Sequence, residues 1–517
     1  MRYLIGVDFG GGSSKATLLR EDGAVVATAA QEYPTAYPKM GWAEQDPEDS
    51  YRTLVYNIRA LLRESAVSPD DISAIALDGA THTAVLLDDA DRVIRPSIYW
   101  TDRRSAEQAD RLLREHQGQI LEQALNVPSP LWTLPQLIWL REREPESFGQ
   151  IHRILFMKDY VRYRLTGDFV TDRIEAMGSM LLDARTETWS PALCALAGIS
   201  PEVLPELVSP TQILSPLRPE AAQATGLRSG TRVIAGATDT VMEVYASGAI
   251  HPGQATVKLA TAGRICAVSA HGVAHPLLVN YRHVVDGLWY PGTATKSCAA
   301  SYRWYRDVLC GGEVAQAARD GTDPYEQMDA EAARVPPGSD QLYFHPYLQG
   351  EITPYLDNDL RASFTGISAF HTKGHFSRAV MEGVAYSLKE GLLVLHELGM
   401  PVERATIIGG GAKSPLWRQI VADVLDIPLL QTVNSDSSLG SAMLAGVATG
   451  VFASFEESVE KCVKRKGETH PGPAAQTIYA QGFDIYKRIH DALAPVYRTI
   501  AAQGAGNMTA DGKGEKP

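Results

Sequence analysis

Cysteine is scarce in these 517 residues, positive charge is outnumbered, and no long apolar run interrupts the chain. Lys and Arg number 48 against 61 Asp and Glu, a formal net charge of −13. That balance argues against a nucleic-acid or anionic-membrane surface, a local basic patch aside, and an anionic substrate has to meet local Lys, Arg or Mg²⁺. The five cysteines, Cys194, Cys266, Cys298, Cys310 and Cys462, are scattered, odd in number and without a C-x-x-C pair. They argue against a disulfide framework or a zinc site and fit a reducing, cytoplasmic setting. No stretch reaches the ~18 consecutive apolar residues of a membrane span. The chain opens directly on a strand pattern, so no signal peptide is expected. What is present, 45% apolar and 21% charged residues, is ordinary globular composition. The chain is too long for a single core and is expected to divide into about two to four domains.

The organising stretch is Ile5-Gly6-Val7-Asp8-Phe9-Gly10-Gly11-Gly12-Ser13-Ser14-Lys15. The apolar run Tyr3 to Val7 reads as a buried strand ending in an acid. Glycines let backbone N–H groups approach a phosphate, because no Cβ intervenes and positive φ is allowed. Lys15 can add a charge and Asp8 can hold a hydrated Mg²⁺. Lys15 to Arg20, the Asp22-Gly23 turn and Ala24 to Ala29 then read as strand, turn, strand. A Walker loop or a dinucleotide fingerprint needs a helix at this point, so both are disfavoured. A glycine-rich hairpin without a ligand is the alternative.

Farther on, Asp46 is an N-cap and Pro47 the first residue of a helix to about Ser65. Ile72 to Leu77 reads as a strand ending in Asp78-Gly79-Ala80-Thr81-His82, and strand ends of open α/β sheets are where ligands bind. A satisfied structural histidine is the competing reading of His82. Asp102 and Arg103 are placed to hydrogen-bond a polyol or to cap the helix that follows. Leu134 to Leu165 looks helical, broken at Pro145, and the middle of the first half is an α-rich insertion. Arg232 to Gly236 is a strand leading to Asp239, a second acid at a strand–helix junction and alternatively a helix N-cap. The pattern then restarts: Gln254 to Ala260, Thr261-Ala262-Gly263 and Arg264 to Val268 repeat the strand, small-residue turn, strand plan of the opening. Gly311 to Pro324 reads as a polar loop and Lys373 to Leu398 as a long amphipathic helix. Gly409-Gly410-Gly411 stands between a strand and a helix, suited to a base, ribose or phosphate or to a plain tight turn. The boundaries expected are 1–246, 247–495 and a disordered tail over 496–517.

Together these motifs resemble the FGGY carbohydrate kinases, over about Tyr3 to Tyr486. The residues that carry the resemblance are Gly6-Val7-Asp8-Phe9-Gly10 with Lys15, Gly41-Trp42-Ala43-Glu44-Gln45-Asp46-Pro47, the run from Lys158-Asp159-Tyr160 to Gly167, Gly236-Ala237-Thr238-Asp239, Met381 to Tyr386, and Gly409 to Trp417 with Ala422-Asp423. The resemblance implies two RNase-H-like domains of the actin/hexokinase/Hsp70 ATPase superfamily, flanking a deep cleft and carrying α-rich insertions. It also implies ATP and Mg²⁺, and a dimer is common in the family. Within the family the chain is most similar to kinases of D-xylulose. By resemblance Asp239 is the general base, and Thr81, His82, Asp102, Asp239 and Thr240 line the sugar site. Gly10, Gly11, Gly12, Ser13, Lys15, Thr261 and Gly263 meet phosphates; Gly410, Gly411, Ala412 and Ser414 meet the adenosine; Asp8 and Asp239 hold the metal through water.

The chain departs from the family at Gly11, where a Thr is usual, and at Ala260 and Ala262 in the second turn. Thr240 replaces an Asn and Asp78 a Ser. D-ribulose, L-xylulose, gluconate and erythritol stand as other acceptors. A catalytically weakened sugar-binding regulator and a nucleotide-gated chaperone or cytoskeletal module are the readings outside enzymology of this kind.

Overall fold

The computed structural model describes residues 1–510, with side chains through residue 503. The chain forms two compact units. The first comprises Met1–Pro252, Val268–Pro291 and Thr432–Arg465; the second comprises Gly253–Ala267, Gly292–Gln431 and the chain from Lys466 on. The sequence reading expects contiguous halves split at 246/247. Instead the first break falls after Pro252, and two later segments return to the first unit.

In the first unit, β1 (Tyr3–Phe9), β2 (Ser13–Arg20), β3 (Val25–Glu32), β4 (Ile72–Gly79) and β5 (Arg232–Thr238) form a sheet of order β5-β4-β1-β2-β3. The β1–β2 hairpin is antiparallel, and β4 and β5 are parallel to their neighbours. Register places Asp8 beside Asp78, and Ala237 beside Asp78. Three strands thus end together, and Asp239 begins the next element, α4 (Asp239–Ala246). One face of the sheet, through Ile5, Val7 and Leu77, packs on Leu54, Ile58 and Leu61 of α1 (Pro47–Ser65). The Asp46 side chain caps α1 by accepting from the Glu48 N–H, as expected. The other face, through Leu4 and Ala76, meets Met242 of α4 and Leu439 and Met443 of α9 (Ser437–Ala448). Gly6 and Gly440 make that approach close: a Cβ on Gly6 would lie 1.9 Å from the Ser438 carbonyl, and one on Gly440 2.3 Å from the Met242 carbonyl. This packing draws residues 432–465 back to the first unit. Two further helices, α2 (Met157–Thr166) and α3 (Arg173–Gly178), flank the end of β4.

The second unit repeats the plan. Strands β6 (Gln254–Leu259), β7 (Gly263–Ala267), β8 (Gly292–Thr295), β9 (Arg404–Ile408), β10 (Leu429–Thr432) and β11 (Arg465–Thr469) stand in the order β8-β7-β6-β9-β10-β11. Here too the β6–β7 hairpin is antiparallel and β9 is parallel to β6. Helices α5 (Ala299–Leu309), α6 (Pro324–Ala332), α7 (Lys373–Glu397), α8 (Pro415–Leu425) and α10 (Pro473–Ala510) complete it.

Three local expectations are corrected. Arg153–Phe156 is a strand paired with Ala84–Leu87, inside the stretch read as helical. Gly311–Asp320 is a helix rather than a loop. The tail expected to be disordered from 496 continues α10 to Ala510; residues 511–517 lie outside the described residues. No helix among the described residues is long and apolar enough to cross a membrane.

Candidate active site

Four carboxylates gather at the strand ends of the first unit. Asp8 and Asp78 are register neighbours. Burial, with the charges of Asp239 and Asp436, pushes the Asp8 carboxyl up to about 7. Burial and the neighbouring Asp8 charge raise Asp78 well above the usual carboxylate range. Ser441 Oγ donates to Asp78 Oδ2. Asp239 opens α4, with Thr238 rather than Asp239 at the N-cap. Asp239 Oδ1 accepts from the Thr240 N–H at 2.6 Å and from Thr240 Oγ1 at 3.2 Å. Thr240 thus orients the expected base.

The glycine hairpin closes through the Gly10 N–H to the Ser13 carbonyl at 3.0 Å. None of Gly10, Gly11 and Gly12 takes a left-handed φ, so positive φ is not what these glycines supply. Space is. A Cβ on Gly11 would stand 2.9 Å from the Tyr99 hydroxyl, while Gly10 meets only its own turn and Gly12 faces open space. Tyr33 Oη, Thr35 Oγ1 and Gln45 Nε2 tie down the Gly10 and Gly11 carbonyls. With the Gly10 N–H turned to Ser13, the Gly11 and Gly12 N–H groups are those left for a phosphate. Lys15 is drawn off by Asp436, Nζ to Oδ2 2.7 Å. Asp436 caps α9 and joins Lys15 across the whole chain, a link the sequence does not show.

Thr81 and His82 lie just past β4, both buried. Thr81 Oγ1 and His82 Nδ1 have no partner in the protein. Burial pushes His82 down to about 3, and its ring donates to the Leu131 carbonyl. Neutral His82 therefore presents Nδ1 as an acceptor. Trp132 tilts against the ring at 4.9 Å. Asp102 differs from expectation. Its Oδ1 accepts from the Arg104 N–H and Nε, and its Oδ2 from the Ala43 N–H and Arg104 Nη2. Four donors fill the roughly four acceptor positions of a carboxylate, so Asp102 braces the site wall and has no lone pair left for a sugar hydroxyl. Arg104 also stacks 3.7 Å over Trp42.

In the second unit a cavity of about 680 Å³ is lined by Thr261, Gly410, Gly411 and Ser414, together with Tyr302, Tyr325, Asp329 and Trp417. The glycines sit in a 3₁₀ turn, Gly410–Lys413, and Ser414 caps α8 by accepting from the Trp417 N–H at 3.1 Å. Gly409 alone among the three is left-handed, φ 92°, where a Cβ would lie 2.6 Å from the Leu259 carbonyl. Tyr302 stacks on Tyr325 and meets Trp417 edge-on, both at 5.4 Å. Two predicted contacts stand back from this cavity. Ala412 is buried behind it, and Gly263 packs against Thr295 and Cys298. The aromatic wall comes from separated helices and carried no signal in the sequence.

The residues present fit a divalent cation. Asp8 Oδ1 is buried without a partner, in a site where carboxylates repel one another. Among the described residues no three acidic, His or Cys side chains form a direct ligand cage. Such a cation would take most of its oxygens from water and phosphate, as Mg²⁺ does.

Comparison with known proteins places this geometry among relatives. Residues 3–245 match the N-terminal domain, and residues 255–449 the C-terminal domain, of the FGGY family of carbohydrate kinases. The chain is similar to a xylulose kinase of Bacillus subtilis, 32% identical over 497 residues, covering 95% of this chain and 97% of the relative. It is similar to a gluconokinase of the same organism, 31% identical over 458 residues, covering 88% and 89%. The crystal structure of a xylulose kinase from Rhodospirillum rubrum superposes with a TM-score of 0.89 at 31% identity, covering 96% of this chain and 100% of that one.

Proposed function

The chain belongs to the FGGY family of carbohydrate kinases, with the actin/hexokinase-like ATPase fold, and we propose that its acceptor is a neutral ketose, D-xylulose first, with Asp239 as general base. ATP-dependent phosphorylation of a carbohydrate follows from the family; relatives named for xylulose and for gluconate leave the acceptor to be argued from this chain.

Charge carries the choice. Asp8, Asp78, Asp239 and Asp436 crowd the strand ends. The cations around them are engaged: Lys15 by Asp436, Arg104 by Asp102 and Glu44, Lys158 by Asp159 and Asp172. His82 is neutral. An aldonate would bring a carboxylate beside these acids, where Lys15, Arg104 and Lys158 are already paired and the exposed Arg103 is the cation left to meet it, whereas hydroxyls of a ketopentose match the unpartnered Thr81 Oγ1 and His82 Nδ1.

In this reading Asp239, oriented by Thr240, takes the proton of the attacking hydroxyl, a contribution of about 10²–10⁴-fold. The Gly11 and Gly12 N–H groups of the hairpin turn meet phosphate oxygens. The cavity of the second unit holds the nucleoside, with Gly410 and Gly411 giving backbone access. Asp8 and Asp239 would hold Mg²⁺ through water, and the ion supplies charge neutralisation of the phosphoryl group. Positioning supplies the rest. Five cysteines that are all free and buried support a reducing compartment.

The test is ADP release with D-xylulose, D-ribulose, L-xylulose, erythritol and D-gluconate as acceptors. The expected outcome is a kcat/KM for a neutral ketopentose ~100-fold or more above that for gluconate. Preference for gluconate overturns the charge reading, and ATP turnover without any acceptor overturns the kinase assignment.

A further inference from the structure

His82 has a left-handed backbone, φ 59°, a conformation uncommon for a residue with a Cβ. Two buried groups hold it there. Its N–H donates to Glu175 Oε1 at 2.6 Å, and its carbonyl accepts from Thr133 Oγ1 at 2.7 Å. Glu175 is itself 1% exposed and rides on α3, which Asp172 caps by accepting from the Ile174 and Glu175 N–H groups at 2.9 and 3.0 Å. Lys158 Nζ stands 2.6 Å from Asp172 and 3.9 Å from Glu175. The same helix ends at Gly178, where a Cβ would fall 2.3 Å from Thr81 Cγ2. Helix α3 therefore both pins the His82 backbone and leaves room for the Thr81 side chain. The outcome is a pair of buried polar atoms, Thr81 Oγ1 and His82 Nδ1, without a partner in the protein.

We propose that Glu175 is a positioning residue for the acceptor: it holds His82 left-handed and so aims Thr81 Oγ1 and His82 Nδ1 at sugar hydroxyls. This rests on the reading of Thr81 and His82 as acceptor ligands. Glu175 acts only through the turn. Without its oxygen the His82 N–H is orphaned in the interior, the backbone relaxes toward φ < 0, and both side chains swing off line. Nothing in this chain of contacts involves the nucleotide cavity.

Steady-state kinetics with D-xylulose and ATP test it. Glu175→Ala is expected to raise the KM for D-xylulose about 10-fold or more, since small misplacements are costly, with the KM for ATP unchanged. Glu175→Gln keeps an acceptor oxygen and is expected to return the sugar KM toward wild type. In a His82→Gly background, where glycine takes a left-handed φ unaided, Glu175→Ala is expected to add nothing. Thr133→Val removes the second anchor without disturbing a charge, and is expected to give the same split should Glu175→Ala fail to fold. If His82→Ala raises the sugar KM while Glu175→Ala and Thr133→Val leave it unchanged, the positioning role is overturned. If His82→Ala itself leaves the sugar KM unchanged, the acceptor-site reading falls, and the proposal with it.

Discussion

The Tyr99 hydroxyl fills the space beside Gly11, 2.9 Å from where a Cβ on that residue would stand. The sequence reading treats Gly11 as a missing phosphate-facing hydroxyl; the structure adds that a side chain there would meet Tyr99, 88 positions later along the chain. Gly11→Thr is expected to lower kcat/KM for ATP and the thermal midpoint, because its Cβ meets the Tyr99 hydroxyl at 2.9 Å. Adding Tyr99→Phe is expected to recover most of both, since the next atom is 3.6 Å away; steady-state kinetics and thermal denaturation of the two variants check this. Acids at strand ends made Asp8 and Asp239 legible from pattern alone. Asp436 was not, because its partner Lys15 is 421 positions away. Asp102 shows the reverse limit: residue type marks a hydrogen-bonding group, but only coordinates show that Arg104 and Ala43 have already used it.

Among the elements, hairpins and capped helices followed local rules and were readable: Asp46-Pro47 starts α1, and the opening strand–turn–strand recurs at residues 254–267. Strand Arg153–Phe156 was hidden because four residues between two helices give no period to count. Helix Gly311–Asp320 was hidden by its two leading glycines and few apolar residues. Helix α9 had the small-residue composition of a buried helix, but its docking site was invisible. Gly440 lets it lie against α4. Gly440→Ala is therefore expected to destabilise the first unit by ~3 kcal/mol, since overpacking against backbone has little room to relax. A lowered midpoint in urea, with a wild-type far-UV spectrum before the transition, is the measurement that checks this.

The whole molecule has a pH response set by buried groups of opposite kind. Burial holds His283 and His345 down at about 4, so these rings stay neutral in the folded state. Their contribution is present above the ordinary histidine value near 6.5 and is lost as pH falls toward 4. Burial pushes Glu390 up to about 8. Its folded-state proton favours the fold below about 4.5, and that advantage drains away as pH rises to about 8, at most ~1.4 kcal/mol per pH unit. Glu390→Gln keeps an acceptor for the Tyr355 hydroxyl. It is expected to raise the thermal midpoint at pH 8.5 relative to wild type and to leave a smaller difference at pH 5; equal shifts at both values contradict the buried-acid account. At this scale the sequence showed the doubled topology but not the interleaving of the units, because residues 432–465 return by packing on β1 and α4 rather than by any local signal. The central claim concerns a single proton. With D-xylulose and Mg²⁺-ATP, Asp239→Asn is expected to keep the wild-type fold and a similar KM for ATP while kcat falls by about 10²–10⁴-fold. A kcat near that of wild type would contradict Asp239 as the base.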